Sequence, residues 1–595
     1  MKLLKFSTLR AIFLYSLLVF LASCKKETAY EEVSSFKKLE KIYKTELVQT
    51  ATTLDQLNKE ITVTEKQQKY REARKHFKMA ESILAFTDSD SYTFLNQPNI
   101  LKIEEEDFTD IKIKEPRGFQ VIEELLFADT IDQDALKKQV TITSTRLKFL
   151  HKNQTLQFLK KHHILWILRD AIHRVALTGI TGFDSPVLEN SLEESQTVYQ
   201  SLLVILDVFK SEFKDPSLYS QWTKQLEKDI AFLGKSNFKD LDRYVFIKNH
   251  TQETLKIWNK TVTDWKVTFP FKQPFNYQTS DLFSDKTFNL LYFTNQNGDA
   301  VTADKIALGK LLFEDSSLSK QKNMSCASCH KEALYFTDGL AKSAGATRNS
   351  PTLFYAAFQK GFFHDNRAAS LEGQVVDVVN NPAEFHLSLN DLEARVKEKT
   401  VYKAAFNKAY NQEISNDLIR NAIASYIMSL SPFNSKFDLN MQGKQNTLTQ
   451  SEIHGFNLFA GKAKCATCHF APLFNGLVPT RFKESEVESI GVPKTKDTIH
   501  PEIDPDLGRY GVYKTQERKH FFKTPTIRNI AKTAPYMHNG VYTTLEEVMT
   551  FYNNGGGRGL GIDVPHQTLA SDSLKLSKQE IKDLIAFMKT LTDTY

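Results

Sequence analysis

Cys326-Ala327-Ser328-Cys329-His330 and Cys465-Ala466-Thr467-Cys468-His469 are the residues whose types and spacing point most directly to chemistry. Two thiols two residues apart can add across the vinyl groups of a haem. A histidine beside the second thiol can ligate the iron from one face. The pattern occurs twice, so the sequence predicts two covalently bound haems c. Paired C-x-x-C motifs also build zinc ribbons, but those pairs lie roughly 15–20 residues apart. Here they are far apart, and each is followed at once by His. Of the five cysteines, four fall in these motifs and none is left for a structural disulfide; the fifth is Cys24.

The elements that must position these motifs repeat along the chain. Gly309-x-x-Leu312-Phe313 precedes the first motif and Gly455-x-x-Leu458-Phe459 the second. Thr449-x-x-Glu452 reads as a capping box opening the second of these helices. Ser577-x-x-Glu580 opens a closing helix with Ile581, Leu584, Ile585, Met588 and Leu591 on its apolar stripe. Helix, haem motif, loops and closing helix follow one another as in a cytochrome c domain.

Composition changes near residue 270. Only Gly118, Gly179, Gly182 and Gly234 of the 23 glycines precede it, and all four tryptophans do. The earlier half reads as all-helical. Phe36, Leu39, Tyr43 and Leu47 recur at helical spacing, and Gly-poor amphipathic segments follow at about 67–85, 134–177, 189–213 and 217–264. The predicted fold is mainly α: an N-terminal helical bundle, then two tandem cytochrome c-type haem domains. The expected divisions are a signal peptide over 1–24, a helical domain over 25–270, and a linker over 271–293. A first haem domain covers 294–445 and a second 446–595.

Lys2, Lys5 and Arg10 precede an apolar run from Ala11 to Ala22, the pattern of a signal peptide and too short for a comfortable membrane span. It ends Leu21-Ala22-Ser23-Cys24, which resembles a bacterial lipobox; an ordinary signal peptide with an incidental Cys is the alternative. That resemblance implies an acylated Cys24 at the mature N-terminus, anchored in the bacterial cell envelope and facing the periplasm. The net charge of +6 over 595 residues gives no reason to expect nucleic acid as a partner.

In the N-terminal half, Pro116-Arg117-Gly118-Phe119-Gln120-Val121-Ile122-Glu123 resembles the Gly-x-His-x-x-Glu segment of the imelysin family, with Gln120 where that family has His. A plain amphipathic helix is the other reading. His162, His163 and His173 share one predicted helix and read as structural. This half is expected to act as a metal-binding or docking module.

Residues from about 300 to 592 resemble the bacterial di-haem cytochrome c peroxidases and their relative MauG. The likeness lies in Leu308-Gly309-Lys310-Leu311-Leu312-Phe313, the first haem motif, Phe336-Thr337-Asp338-Gly339, and Arg348-Asn349-Ser350-Pro351-Thr352. It continues through Arg367-Ala368-Ala369-Ser370-Leu371-Glu372-Gly373-Gln374 and Asn381-Pro382-Ala383-Glu384. The second haem motif, Thr524-Pro525-Thr526-Ile527-Arg528-Asn529, and Thr533-Ala534-Pro535-Tyr536-Met537-His538-Asn539-Gly540 complete it.

The resemblance implies His330 and His469 as proximal ligands, with Glu384 and Gln374 over an open face of the first iron. The family's blocking His would fall in the loop 331–347, which has none here; His364 and His386 are the other histidines to weigh. The position matching the second iron's sixth ligand is Tyr552, as in MauG, with Met549 one turn earlier as its rival. Asn349, Thr533 and Pro535 match positions holding one calcium ion, whose hard-oxygen preference they suit. The family's Trp between the haems is His364. The implied activity is reduction of hydrogen peroxide to water, with electrons from a small donor protein such as a cytochrome c. A MauG-like oxidase acting on a protein or organic substrate, and a non-catalytic di-haem electron carrier, are the alternatives.

Overall fold

The computed structural model describes residues 34–105, 107, 109–293 and 300–594. The expected signal peptide and Cys24 lie outside the described residues. Among the described residues no helix is long and apolar enough to cross a membrane.

Six long helices form the N-terminal bundle: α1 (Ser35–Asp55), α2 (Val63–Thr87), α5 (Gln133–Asn153), α6 (Lys161–Leu177), α7 (Ser191–Val208) and α8 (Pro216–Gly234). Shorter α3 (Ser89–Asn96) and α4 (Phe119–Leu126) flank a hairpin of β1 (Lys102–Glu105) and β2 (Ile111–Lys114), and α9 (Gln252–Asp264) closes the domain. The sequence pattern over 134–177 is split by a loop at 154–160. No Pro or Gly causes the break. Glu40 on α1 accepts hydrogen bonds from Thr155 Oγ1 and the Leu156 amide, both at 2.9 Å, so a tertiary contact ends α5. The segment 217–264 breaks likewise, where Asn237 folds a turn onto the amides of Lys239 and Asp240.

The bundle's centre carries charge. Arg74 clasps Glu194 with both Nε and Nη2, while Lys78 meets Glu81 at 2.8 Å and Asp184 at 2.6 Å, all buried. Removing one partner of such a network leaves an uncompensated buried charge and costs about 3–5 kcal/mol.

Residues 271–293 are packed rather than free. Phe275, Leu282, Phe283, Phe288 and Phe293 are buried. The Phe288 ring lies 5.1 Å from Phe358, 5.4 Å from Phe482 and 5.2 Å from Phe275, tying the two haem lobes to the connecting stretch.

Each haem lobe opens on a helix that crosses its closing helix at a glycine. In the first lobe, α10 (Ala303–Glu314) crosses α12 (Asn416–Met428), and a Cβ on Gly309 would stand 2.0 Å from the Ala422 carbonyl oxygen. In the second, α13 (Gln450–Phe459) crosses α15 (Lys578–Thr590), and a Cβ on Gly455 would stand 2.0 Å from the Asp583 oxygen. The repeated glycines therefore mark two equivalent backbone contacts. Both predicted capping boxes, Thr449 with Glu452 and Ser577 with Glu580, are formed. Between the crossings lie α11 (Leu371–Asn380), a short pairing of β3 (Val487–Glu488) with β4 (Phe522–Lys523), and α14 (Leu545–Asn553).

The bundle docks on the second lobe through polar contacts. Glu105 of β1 takes Arg509 at 2.8 Å and Thr515 at 2.9 Å, Arg481 donates to the carbonyls of Ala85 and Phe86, and the Tyr244 amide donates to Asn457 Oδ1.

Candidate haem sites

Residues 326–329 form one short helical turn, which places Cys326, Cys329 and His330 together. The His330 ring is oriented from behind: Nδ1 lies 2.9 Å from the Phe336 carbonyl oxygen, with Ser350 Oγ at 3.2 Å. A carbonyl can only accept, so Nδ1 carries the proton and Nε2 presents its lone pair, the form that ligates a metal. Tyr335 and Phe336 reach this carbonyl through two consecutive left-handed conformations, φ 55° and 59°. Such residues cost on the order of 1–2 kcal/mol each and persist where the surroundings fix them. His469 is held the same way, with Nδ1 3.0 Å from the Pro525 carbonyl. Burial lowers the pKa of both histidines, that of His469 to about 4, so both are neutral and available as ligands.

Glu384 is half-buried and faces the first motif. Burial, then the Glu384 charge, push the Cys326 thiol up to about 12. Burial also raises the Glu384 carboxyl above its ordinary value, against a 2.7 Å hydrogen bond from Asn381 Nδ2. A carboxyl so placed exchanges protons more readily near neutral pH than an exposed one. Gln374, on α11, lines a cavity of about 1540 Å³ that extends to the second motif.

That cavity is walled by Cys465, Cys468 and His469 on one side and by Met549 and Tyr552 of α14 on the other. Met549 is nearly fully buried. Burial, then the neighbouring thiols of Cys468 and Cys465, raise the Tyr552 phenol well above its usual value. A phenolate there needs a cation close by, which a ferric ion provides. Both residues line the same cavity as the second motif.

The histidines that could close the first iron are accounted for. His364 is half-buried with Nε2 3.1 Å from the Asn349 carbonyl oxygen, and desolvation, then the charge of His538, take its pKa to about 3. It is a neutral donor to that carbonyl. His386 is exposed. Among the described residues, 331–347 hold no histidine.

Asn349, Thr533 and Pro535 line the same cavity. Asn349 Nδ2 donates to the carbonyls of Pro535, at 3.2 Å, and Met537, at 2.7 Å, and its Oδ1 is buried with no partner among the described residues. Amide and carbonyl oxygens of this kind fit a hard cation such as calcium. Among the described residues no group of three or more His, Cys, Asp or Glu could hold a metal ion; this oxygen set requires none.

Several wall residues were not singled out in the sequence. Lys523 is half-buried and desolvation pushes its pKa down to about 8; with Arg518 it puts cationic groups on the cavity wall, suited to carboxylates such as those of a haem. Glu486 and Glu488 are two half-buried acids beside Cys468. Their Glu-x-Glu alternation, two residues before Gly491-Val492-Pro493, was the available signal. The bundle contributes Phe183, Pro186 and Phe238 to the same cavity.

The other residues noted in the bundle serve its structure. Gln120 Nε2 donates to the Asn96 carbonyl, and the Glu123 carboxylate accepts from Tyr70, Ser185 and the amides of Val187 and Leu188. His163 Nδ1 accepts from the Lys160 amide, so its Nε2 carries the proton that bonds His162 at 3.2 Å. His173 packs 4.0 Å from the Phe275 ring.

Two C-x-x-C-H segments with oriented histidines, the second on the wall of a large cavity, in lobes built on the same helix crossing, define a di-haem c-type protein. Residues 303–446 match the di-haem cytochrome c peroxidase family. The cytochrome-c peroxidase IdrP2 of Pseudomonas sp. is 32% identical over 314 residues, 48% of this chain and 81% of that relative. The cytochrome c551 peroxidase of Nitrosomonas europaea is 33% identical over 298 residues, 49% of this chain and 80% of its own. The methylamine utilization protein MauG of Methylorubrum extorquens is 30% identical over 298 residues, with 49% and 79% covered. The chain belongs to the di-haem cytochrome c peroxidase family. It is a peroxidase-type oxidoreductase with two c-type haems, and the similarity covers its C-terminal half.

Proposed function

We propose that the first motif holds the peroxidatic haem and the second the electron-entry haem. Cys326 and Cys329 bond the first haem and Cys465 and Cys468 the second, with His330 and His469 as the proximal ligands. The haems, when bound, supply a coordination position for peroxide and the electrons for its cleavage. Glu384 takes the proton from the near peroxide oxygen and delivers it to the far one, which leaves as water. Its raised pKa supports this role, because the group must both accept and release a proton. Gln374 holds the peroxide in place. Two electrons and two protons convert one hydrogen peroxide to two waters. The electrons come singly from a small donor protein such as a cytochrome c.

The observation that carries an open first iron is the His-free loop 331–347, together with His364 engaged on Asn349. Tyr552 would ligate the second haem iron opposite the second motif, with Met549 as the alternative, and supply a hard anionic oxygen donor. One calcium ion sits at Asn349, Thr533 and Pro535. The protein works on the periplasmic side of a bacterial envelope membrane, anchored through an acylated Cys24. The fully oxidised holoenzyme reacts with peroxide at once: stopped-flow mixing gives rapid haem absorbance changes, and reduced cytochrome c is then turned over. A requirement for one added electron before any reaction would refute the open iron.

Tyr552 favours a second reading, a MauG-like oxidation of a protein or organic substrate. A phenolate ligand stabilises the ferric state and lowers the potential of the entry haem. Peroxide consumption without cytochrome oxidation would decide for it.

A further inference from the structure

One end of the N-terminal bundle is basic and aromatic, and the described chain begins there. At this end α1 starts, α5 finishes and α6 starts, since α1 and α5 run antiparallel with His151 on the Lys44 carbonyl and Leu156 on Glu40. The end of α7 joins them through Phe209, whose ring lies 5.1 Å from Phe36. The start of α8 and the end of α9 meet there too, where Asp264 accepts the Lys214 and Asp215 amides.

Lys37, Lys38 and Lys41 on α1 are exposed, as are Lys152 and Lys160 beside the 154–160 loop and Lys210 after α7. Among the described residues, the acids at this end are committed within the fold. Glu40 holds Thr155 and Leu156, Glu212 pairs with Lys161, and Asp215 caps α8. Two large aromatics stand out into solvent among these lysines: Phe158 at 59% exposed in the loop, and Phe271 at 66%, lying 6.4 Å from Trp166.

We propose that this end is a membrane-contact surface whose partner is the anionic headgroup region of a phospholipid bilayer. Lysines on long stems with exposed aromatic rings are the side chains that lie well at a membrane interface. The ammonium groups meet phosphate, and the rings enter the headgroup boundary. Chain reach agrees. Ser34, the first described residue, is ten positions from Cys24, and ten residues span at most about 35 Å even fully extended. An acyl chain on Cys24 would keep this end close to the bilayer. The surface stands independently of that anchor, and the test separates the two.

The holoenzyme is exported behind a cleavable signal in place of residues 1–24, so that it carries no acyl chain. It is then floated with vesicles of phosphatidylcholine alone or mixed with phosphatidylglycerol. Binding to the mixed vesicles, lost as salt is raised, is expected. Reversing Lys37 and Lys160 together (Lys37→Glu, Lys160→Glu) weakens it about tenfold or more, since each basic group contributes on the order of a fivefold gain near an anionic surface. Phe158→Ser weakens what binding survives at high salt. Haem absorbance and peroxide turnover stay unchanged and report that these variants are folded. No binding to mixed vesicles, equal binding to both kinds, or indifference to the charge reversal overturns the proposal. So does a dimer that the same reversal dissociates, which would make a second copy the partner. Mass spectrometry of the native protein tests Cys24 acylation separately, and its failure would leave the surface standing.

Discussion

Glu488 Oε1 lies 3.8 Å from Cys468 Sγ, and Glu486 stands two residues earlier, just before β3. Two half-buried acids thus flank the second haem motif. Burial raises both, and the Glu488 charge lifts Glu486 further, to about 8. An acid whose folded pKa is raised binds a proton that the unfolded chain has already lost. Stability therefore falls as pH rises through the window from 4.5 to about 8. Urea midpoints of the holoprotein at the two ends of that window should show this slope, and Glu486→Gln should flatten it. An identical slope in the variant would place the titrating group elsewhere.

Glu384→Gln should slow peroxide reduction by about a hundredfold or more, the loss expected for a general acid–base group. Haem content should stay normal. Because the carboxyl's pKa is raised by burial, the acid limb of the wild-type activity profile should lie above the ordinary Glu value, and the variant should lack it. Near-normal turnover would remove Glu384 from the mechanism.

Tyr552→Phe should change the low-spin haem spectrum and leave the high-spin signal of the first haem in place. Tyr552→Met should raise the potential of the second haem, because thioether favours the ferrous ion. An unchanged spectrum in Tyr552→Phe would pass the assignment to Met549, with Met549→Leu as the deciding variant.

Gly455→Ala forces a Cβ to 2.0 Å from the Asp583 carbonyl, so α13 and α15 must separate. A loss of about 3 kcal/mol is expected from overpacking at such a crossing. Gly309→Ala should behave alike in the first lobe. Gly511→Ala, with nothing within 4 Å, is the control and should shift the urea midpoint little. Equal midpoints for all three would mean that the helices adjust at no cost.

The parts of this fold legible in the sequence were those fixed by nearby residues. The haem motifs, the capping boxes and the closing helix each depend on contacts within a few positions. The Gly309 and Gly455 repeat was readable as a pattern, but its reason lies across the lobe, at Ala422 and Asp583. The break after α5 was not readable, because Glu40, more than a hundred residues earlier, makes it. The β1–β2 hairpin was missed for a similar reason. Its Lys-Ile-Glu-Glu and Ile-Lys-Ile-Lys strands bury little of their own, and it is fastened by Arg509 and Arg518. Nor could the sequence tell that Lys523, just before the motif that begins at Thr524, would be a half-buried cation on the cavity wall.

The aromatic stretch around Phe288 bears on how the protein can be divided. Its rings are shared among the bundle side, the first lobe and the second, in one contiguous apolar core running from Leu39 to Leu591. A cut at residue 270 would leave the haem half with Phe275, bared of His173, facing water. That piece would clump instead of staying in solution. Melting should accordingly be a single event that carries bundle and haem lobes together.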